Sequence, residues 1–302
     1  MNPPPGFRPG RDEAIEMAQD RLQLSRLELK YRVAEPLALK VRDFVSSHLE
    51  IDEYGATRPN LSYPVHSLYL DSDDLKLYWH TINGNKNRFK LRLRFYENRP
   101  TAPVYFEIKR RVDNAILKQR GGVRREAVDW LLAGHLPDQS HLVSSEPKQL
   151  GALQRFSQLM LDLRARPKAH VAYLREAWIS RYDNSVRVTM DRDVKVAPEF
   201  TTRLTTQLDP PVAMAFAPQV ILELKFTGRF PNWFGEMVRF FGLPQSSAAK
   251  YVDGVAQLGE YRFRDGHAAL ESPRVEPDTV RERRARQARQ AGRVSAVEDL
   301  YD

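Results

Sequence analysis

The feature that most restricts the fold of this chain is an alternation of period two that gives each segment one charged face and one apolar face. Successive side chains of a strand point to opposite sides of a sheet, so each segment splits cleanly in two. In RLELKY, Arg26, Glu28 and Lys30 share one face and Leu27, Leu29 and Tyr31 the other. In KLRLRFY, Lys90, Arg92 and Arg94 oppose Leu91, Leu93 and Phe95. In VYFEIKR, Glu107 and Lys109 oppose Val104, Phe106 and Ile108. Arg187, Thr189 and Asp191 oppose Val186, Val188 and Met190 in VRVTMDRD, and Glu223 and Lys225 oppose Leu222, Leu224 and Phe226 in VILELKF. A helical period would mix these faces.

The alternation predicts strands over Arg26–Val33, Val65–Asp71, Arg88–Tyr96, Pro103–Arg111, Ile116–Val128, Ala169–Tyr182, Ser185–Val194 and Val220–Thr227. Asp183-Asn184 reads as a short hairpin turn. Helical spacing appears in Pro36–Leu49, Lys148–Leu163, Pro231–Phe241 and Ala248–Tyr261. The expected class is α+β with mainly antiparallel connections.

Two architectures accommodate charged strand faces. An open sheet could turn them to water. Alternatively, eight strands could close into a barrel with the apolar side outward beneath the helices and the cations inside, the inverse of the usual barrel. The charged faces hold long cations and a few carboxylates with little Thr, Ser or Gln, a density of like charge that needs water, acidic neighbours or an anion to offset it. Residues 26–261 hold 35 basic and 27 acidic side chains and so account for the whole net charge of +8. An anionic partner is therefore expected to meet the folded core. Of the 47 basic residues 35 are Arg, whose planar fork suits phosphate, although GC-rich coding produces the same bias.

The absence of cysteine excludes disulfides, thiolate nucleophiles and Cys-ligated metals. Apolar runs such as Val212–Ala217 fall far short of the roughly 20 residues that span a bilayer. The N-terminus lacks the apolar core of a signal peptide, so the expected location is cytoplasmic, or peripheral at the inner face of a membrane. Residues 1–24 read as a flexible segment, 25–262 as one domain, and 263–302 as a polar, Arg-rich tail that is disordered or helical. Asp71-Ser72-Asp73-Asp74 lacks the glycine and glutamate of a calcium loop and reads as a turn or helix cap. Gly121-Gly122 lacks the context of a phosphate loop and reads as a bulge or turn. None of the seven histidines is assigned to catalysis or metal, and Trp233-Phe234 and Phe240-Phe241 read as core.

Cations converging from several strands make a site for an elongated anion. Glu223, with Glu28, Glu107 and Asp191 as helpers, would suit a hard cation such as Mg²⁺ or Mn²⁺. Cations, a metal and an oligophosphate are the ingredients of phosphoryl transfer, which needs no covalent nucleophile. From the residues alone, the reading stops at a polyanion-binding barrel.

The ordered blocks RLELKY (26–31), SLYLDS (67–72), FKLRLRFY (89–96), FEIKRR (106–111), LKQR (117–120), LREAW (174–178), VRVTMD (186–191), LELK (222–225) and KYVDGV (250–255) resemble the VTC domain, the polyphosphate polymerase branch of the triphosphate tunnel metalloenzymes (CYTH-like). The resemblance implies a closed eight-stranded antiparallel β-barrel, a tunnel with a cationic interior and helices outside. Carried onto this sequence, it implies phosphate binding by Lys30, Arg92, Arg94, Lys109, Lys118, Arg175, Arg187 and Lys250, with Arg92, Arg94, Lys109, Arg187 and Glu223 catalytic and Mn²⁺ or Mg²⁺ on Glu223. Arg120, Arg124 or Arg125 could take the role of Lys118 after a register change. The implied reaction moves the terminal phosphoryl group of ATP to a growing polyphosphate chain. A triphosphatase and a non-catalytic polyphosphate binder are the alternatives, and a membrane-protein partner is implied by analogy; sequence-specific nucleic-acid binding is not expected. Triphosphate-hydrolysing relatives begin Glu-x-Glu-x-Lys, whereas this chain has Arg26-x-Glu28-x-Lys30, which favours a one-metal polymerase site. The segment before the last helix reads Ser246-Ser247-Ala248-Ala249-Lys250, weaker in phosphate ligands than is usual in the family.

Overall fold

Each of the eight predicted segments forms a strand, and the charged faces of the five that have one turn to the same side. The computed structural model describes residues 27–264 apart from 114 and 184; Arg26, the Pro-rich start and the Arg-rich tail lie outside the described residues. In chain order the elements are β1 (Leu27–Ala34), α1 (Glu35–Ser46), β2 (Glu50–Ile51), α2 (Glu53–Ala56), β3 (Ser62–Asp71), α3 (Lys76–Ile82), β4 (Asn87–Phe95) and β5 (Val104–Val112). There follow β6 (Ala115–Val123), α4 (Val128–Leu132), α5 (Pro147–Asp162), β7 (Arg166–Ile179), β8 (Val186–Pro198), β9 (Ala213–Met214), β10 (Gln219–Phe226), α6 (Asn232–Phe240) and α7 (Lys250–Leu258). No helix among the described residues is long and apolar enough to cross a membrane.

The strands form one antiparallel sheet in the order β1-β10-β8-β7-β3-β4-β5-β6, with β2 added to β7 and β9 to β8. Its apolar face carries the helices. Leu153, Phe156 and Met160 of α5 pack on Leu91, Leu93, Phe106 and Ile108. Ala38, Val41 and Val45 of α1, with Phe234 and Met237 of α6, pack on Val188, Met190, Leu222 and Leu224. Burying each large apolar side chain contributes about 1.5–3 kcal/mol, so this layer fixes which face turns inward. Phe234 belongs to this core as expected, whereas Phe240 is 79% exposed.

The sheet curls strongly. Five strands separate β1 from β5 in the ladder only through β10, β8, β7, β3 and β4, yet Glu28 on β1 lies 3.0 Å from the Lys109 ammonium on β5. The expected closed barrel needs one correction: among the described residues no ladder joins β1 to β6, and side chains bridge that gap. Lys30 and Arg32 on one edge and Lys118 and Arg120 on the other are like charges that direct pairing would set side by side.

The concave side is itself divided. Around β3, β7 and β8 it is apolar and filled by α7, whose Tyr251, Val252 and Val255 meet Tyr69, Val171, Val196 and Ile221. A Cβ on Gly254 would lie 2.3 Å from Val196 Cγ2, so glycine is what lets α7 seat this deeply.

Local expectations are refined at four places. The strand predicted over Ile116–Val128 ends at Val123, because Arg124 donates to the Leu142 carbonyl and Arg125 to those of Glu97 and Leu204, drawing the chain away. Gly121-Gly122 is neither bulge nor turn: both pair regularly in β6, where a Cβ on Gly121 would meet the Gln149 carbonyl at 2.8 Å. The connection predicted as a short turn at Asp183-Asn184 spans residues 180–185, with the Asp183 carboxylate accepting from Ser180 Oγ and Ser185 N; Asn184 lies outside the described residues. The cap reading of Asp71 is correct, since its carboxylate accepts the N–H groups of Ser72, Leu77 and Tyr78 at the start of α3, a helix the sequence reading misses.

Candidate functional site

On the polar part of the concave face, strand geometry brings together side chains distant in sequence. Lys30 and Glu28 come from β1, Lys90, Arg92 and Arg94 from β4, Glu107 and Lys109 from β5, Lys118 from β6 and Arg175 from β7. Arg187, Thr189 and Asp191 of β8 and Glu223 and Lys225 of β10 complete the wall, and Lys250 reaches in from the first turn of α7. All nine residues assigned from the resemblance lie on this face. These ten cations share it with the carboxylates Glu28, Glu107, Asp191 and Glu223, and Asp52, just before α2, pairs Arg187 at 3.0 Å.

Glu223 is the hub. One carboxylate oxygen lies 3.4 Å from the Lys30 ammonium and 3.2 Å from that of Lys250, and the other is 2.5 Å from Lys225 and 3.8 Å from the Arg175 guanidinium. Burial alone would push its carboxyl up, but Lys225, Lys250, Lys30 and Arg175 outweigh burial and hold it well below the ordinary carboxylate range. A second hub forms at Glu107, which is 2.7 Å from Arg92 and 2.8 Å from Lys118; its carboxyl is likewise held well down against burial by Lys118, Arg94 and Arg92. Asp191 takes a two-pronged contact from Arg175 at 2.8 Å and a third from Lys250 at 2.6 Å.

Five carboxylates do not match these ten cations, and the remainder are visible. Lys90 has Lys30, Lys109 and Arg88 as neighbours and no paired carboxylate among the described residues; burial, offset in part by Tyr69, brings its ammonium down to about 8. Arg94 is 6% exposed and donates through Nη2 to the Tyr173 hydroxyl at 3.0 Å, but its Nε is buried without an acceptor. Directly opposite in the β3–β4 ladder, Ser67 Oγ is also buried and unpartnered. Buried orphan donors cost free energy unless a ligand or water meets them, and two of them opposite one another mark a position for an anionic oxygen.

Several of these residues escape a sequence reading. Ser67, Tyr69 and Tyr173 lie on β3 and β7, strands whose two faces are both apolar because α7 covers the second, so no alternation singles them out. Lys90 and Lys225 are legible on the charged faces, but no role is assigned to them. The alternatives to Lys118 divide: Arg120 shares its face of β6, whereas Arg124 and Arg125 are anchored to loop carbonyls.

Tyr69 lies flat against Tyr251, ring centroids 5.0 Å apart, and accepts a 3.0 Å hydrogen bond from Arg92. Burial would raise its hydroxyl, yet Arg92, Lys90 and Arg94 bring it down to about 7 from the usual value near 10. Phenolate absorbance is therefore expected to grow as the pH rises through neutrality. It should be absent in Tyr69→Phe, and tripolyphosphate should move it to higher pH by occupying the same cations. A wild-type titration with no such step contradicts this account.

No three carboxylate or imidazole groups among the described residues form a metal cage. The donor set nonetheless suits a hard divalent ion that arrives with phosphate: Glu223 shares Lys30 with Glu28 and Lys250 with Asp191, and Mg²⁺-type ions need only one or two carboxylates beside phosphate and water.

The family model described as VTC domain matches residues 25–259. No curated protein sequence matches the chain. Similar solved structures include a candidate adenylate cyclase of Bacillus halodurans, 14% identical, covering 75% of this chain and 94% of that one with a TM-score of 0.41. A counterpart from Vibrio parahaemolyticus is 10% identical over 75% and 95% of the two chains, TM-score 0.36. A candidate adenylyl cyclase of Hippeastrum, described as having a dominant triphosphatase activity, is 16% identical over 75% and 93%, TM-score 0.41.

Proposed function

Because the chain belongs to the VTC domain family, we propose that it is a metal-dependent polyphosphate polymerase, moving the terminal phosphoryl group of ATP to a growing polyphosphate chain. The observation that carries the reading is the excess of cations over carboxylates on the concave face, together with the orphaned donors of Arg94 and Ser67. Such a surface is matched by a chain of phosphates rather than by one small anion.

Arg92, Arg94, Lys109 and Arg187 neutralise and align the reacting phosphates, and Lys30, Lys118, Arg175 and Lys250 hold the flanking ones. The acceptor's terminal phosphate oxygen attacks the terminal phosphorus of ATP, the bond to the bridging oxygen breaks, and ADP leaves with the electron pair. The residues contribute by positioning and by charge already in place before the reaction. Glu223 would hold Mn²⁺ or Mg²⁺, which when bound supplies Lewis-acid stabilisation of the phosphoryl oxygens. A membrane-protein partner that receives the product, and a peripheral location at a membrane face, belong to the same reading by family analogy.

Incubating the purified protein with ATP and Mn²⁺ should yield ADP and long-chain polyphosphate. Inorganic phosphate as the only product would replace the polymerase with a triphosphatase, and tight, salt-sensitive binding without turnover would leave a binding module. Nucleic acid should compete poorly with tripolyphosphate.

A further inference from the structure

Where β3 and β5 begin and β4 ends, the concave face changes from cations to tyrosines. Tyr63 continues the row of Ser67 and Tyr69, Tyr96 follows Arg94, and Tyr105 precedes Glu107. Tyr54 joins them from α2. The four rings form a chain, with centroids 5.8 Å apart for Tyr54 and Tyr63, 6.2 Å for Tyr63 and Tyr96, and 6.3 Å for Tyr96 and Tyr105.

This chain begins in solvent and ends among the cations. Tyr54 is 64% exposed and Tyr96 37%, whereas Tyr63 is buried, its hydroxyl donating to Asp52 at 2.9 Å and accepting from Arg187 at 3.4 Å. At the other end Arg120 lays its guanidinium 4.4 Å from the centre of the Tyr105 ring, with no carboxylate paired to it among the described residues. Tyrosines placed only for core packing would be covered. Two exposed tyrosines at the edge of a cationic surface, with a guanidinium plane beside a third, offer flat faces to a flat ligand.

We infer that Tyr54, Tyr96 and Tyr105, with Arg120, form a stacking rim that holds the base of a nucleoside triphosphate whose phosphates lie among the concave-face cations. The inference rests on the reading above that the cations bind a triphosphate, and it adds how the protein tells a nucleotide from an inorganic polyphosphate. Stacking uses the area of the base rather than its hydrogen-bonding edges, so ATP and GTP should bind alike.

The test is calorimetric titration of ATP and of tripolyphosphate into the wild type, a Tyr96→Leu/Tyr105→Leu double variant and Tyr54→Ala, all without divalent metal. Tyr54 is exposed enough that its removal leaves packing intact. The double variant should lose roughly 10–100-fold in ATP affinity, and Tyr54→Ala a smaller factor, with tripolyphosphate binding unchanged in both. Equal losses for the two ligands would make the tyrosines structural and overturn the rim, as would undiminished ATP binding. If the wild type binds tripolyphosphate but ATP no more tightly, the cationic site stands and the rim falls. If it binds neither, the triphosphate reading itself fails and takes the rim with it.

Discussion

Glu223→Gln is expected to abolish phosphoryl transfer while leaving tripolyphosphate binding, measured without metal, as tight as in the wild type or tighter. The carboxylate occupies four cations, Lys30, Lys225, Lys250 and Arg175, that a polyphosphate would otherwise contact. Removing its charge frees them for the ligand but deletes the residue proposed to hold the metal. It also leaves Lys225 without a paired carboxylate among the described residues, and Lys30, Lys250 and Arg175 with Glu28 or Asp191 alone. Breaking one partner of a buried ionic cluster costs about 3 kcal/mol, or roughly 6–12 °C in midpoint for a chain of this size. Because Glu223 is held far below its ordinary value, its stabilising contribution is present through neutral and mildly acidic pH and fades only as the pH falls to its depressed folded value. Tripolyphosphate or salt should restore the midpoint in the variant, since either screens the freed charges. Wild-type turnover in Glu223→Gln would remove the carboxylate from the mechanism. A parallel loss of binding would show that it shapes the site instead of competing for it.

Arg94→Ala should do the reverse, lowering turnover by about 10²–10³-fold with a smaller loss of stability than Glu223→Gln, chiefly that of its hydrogen bond to Tyr173. Its Nε has no acceptor and lies 3.9 Å from Glu107, which keeps Arg92 and Lys118 as partners when Arg94 is removed. Deletion relieves repulsion from Arg92 but gives up the attraction of Tyr173 and Glu107, which holds the guanidinium above its ordinary range against burial. Arg94→Lys should recover only part of the rate, because an ammonium cannot replace two donors in one plane. Kinetics with ATP and thermal denaturation of the same samples decide the matter. A large drop in midpoint with little change in rate would assign Arg94 to the fold.

How much of this was legible beforehand depended on whether one face of a strand was charged. β1, β4, β5, β8 and β10 carry the contrast, and their inward cations are legible residue by residue. β3 and β7 do not, because α7 makes both of their faces apolar, and Ser67, Tyr69 and Tyr173 stayed hidden there. Charge also misled at the end of β6, where Arg124 and Arg125 prolong the alternation past the point at which the chain turns away. Glycines 121 and 122 suggest a bulge or turn for want of another clue: what they avoid is the Gln149 carbonyl and Val143 of the segment leading into and opening α5, a neighbour that local sequence cannot reveal.

The gap between β1 and β6 has a mechanical consequence. A cylinder laced by backbone hydrogen bonds on every side has a fixed circumference, because changing it means breaking a row of bonds at once. Here the edge of β1 meets only the short Gln245–Ser246 segment through its backbone, and a lysine–glutamate contact between Lys109 and Glu28 reaches across to β5. At that seam the enclosure is held by side-chain charge as well as by backbone, so an anion that drew Lys109 away from Glu28 would change what joins the two edges.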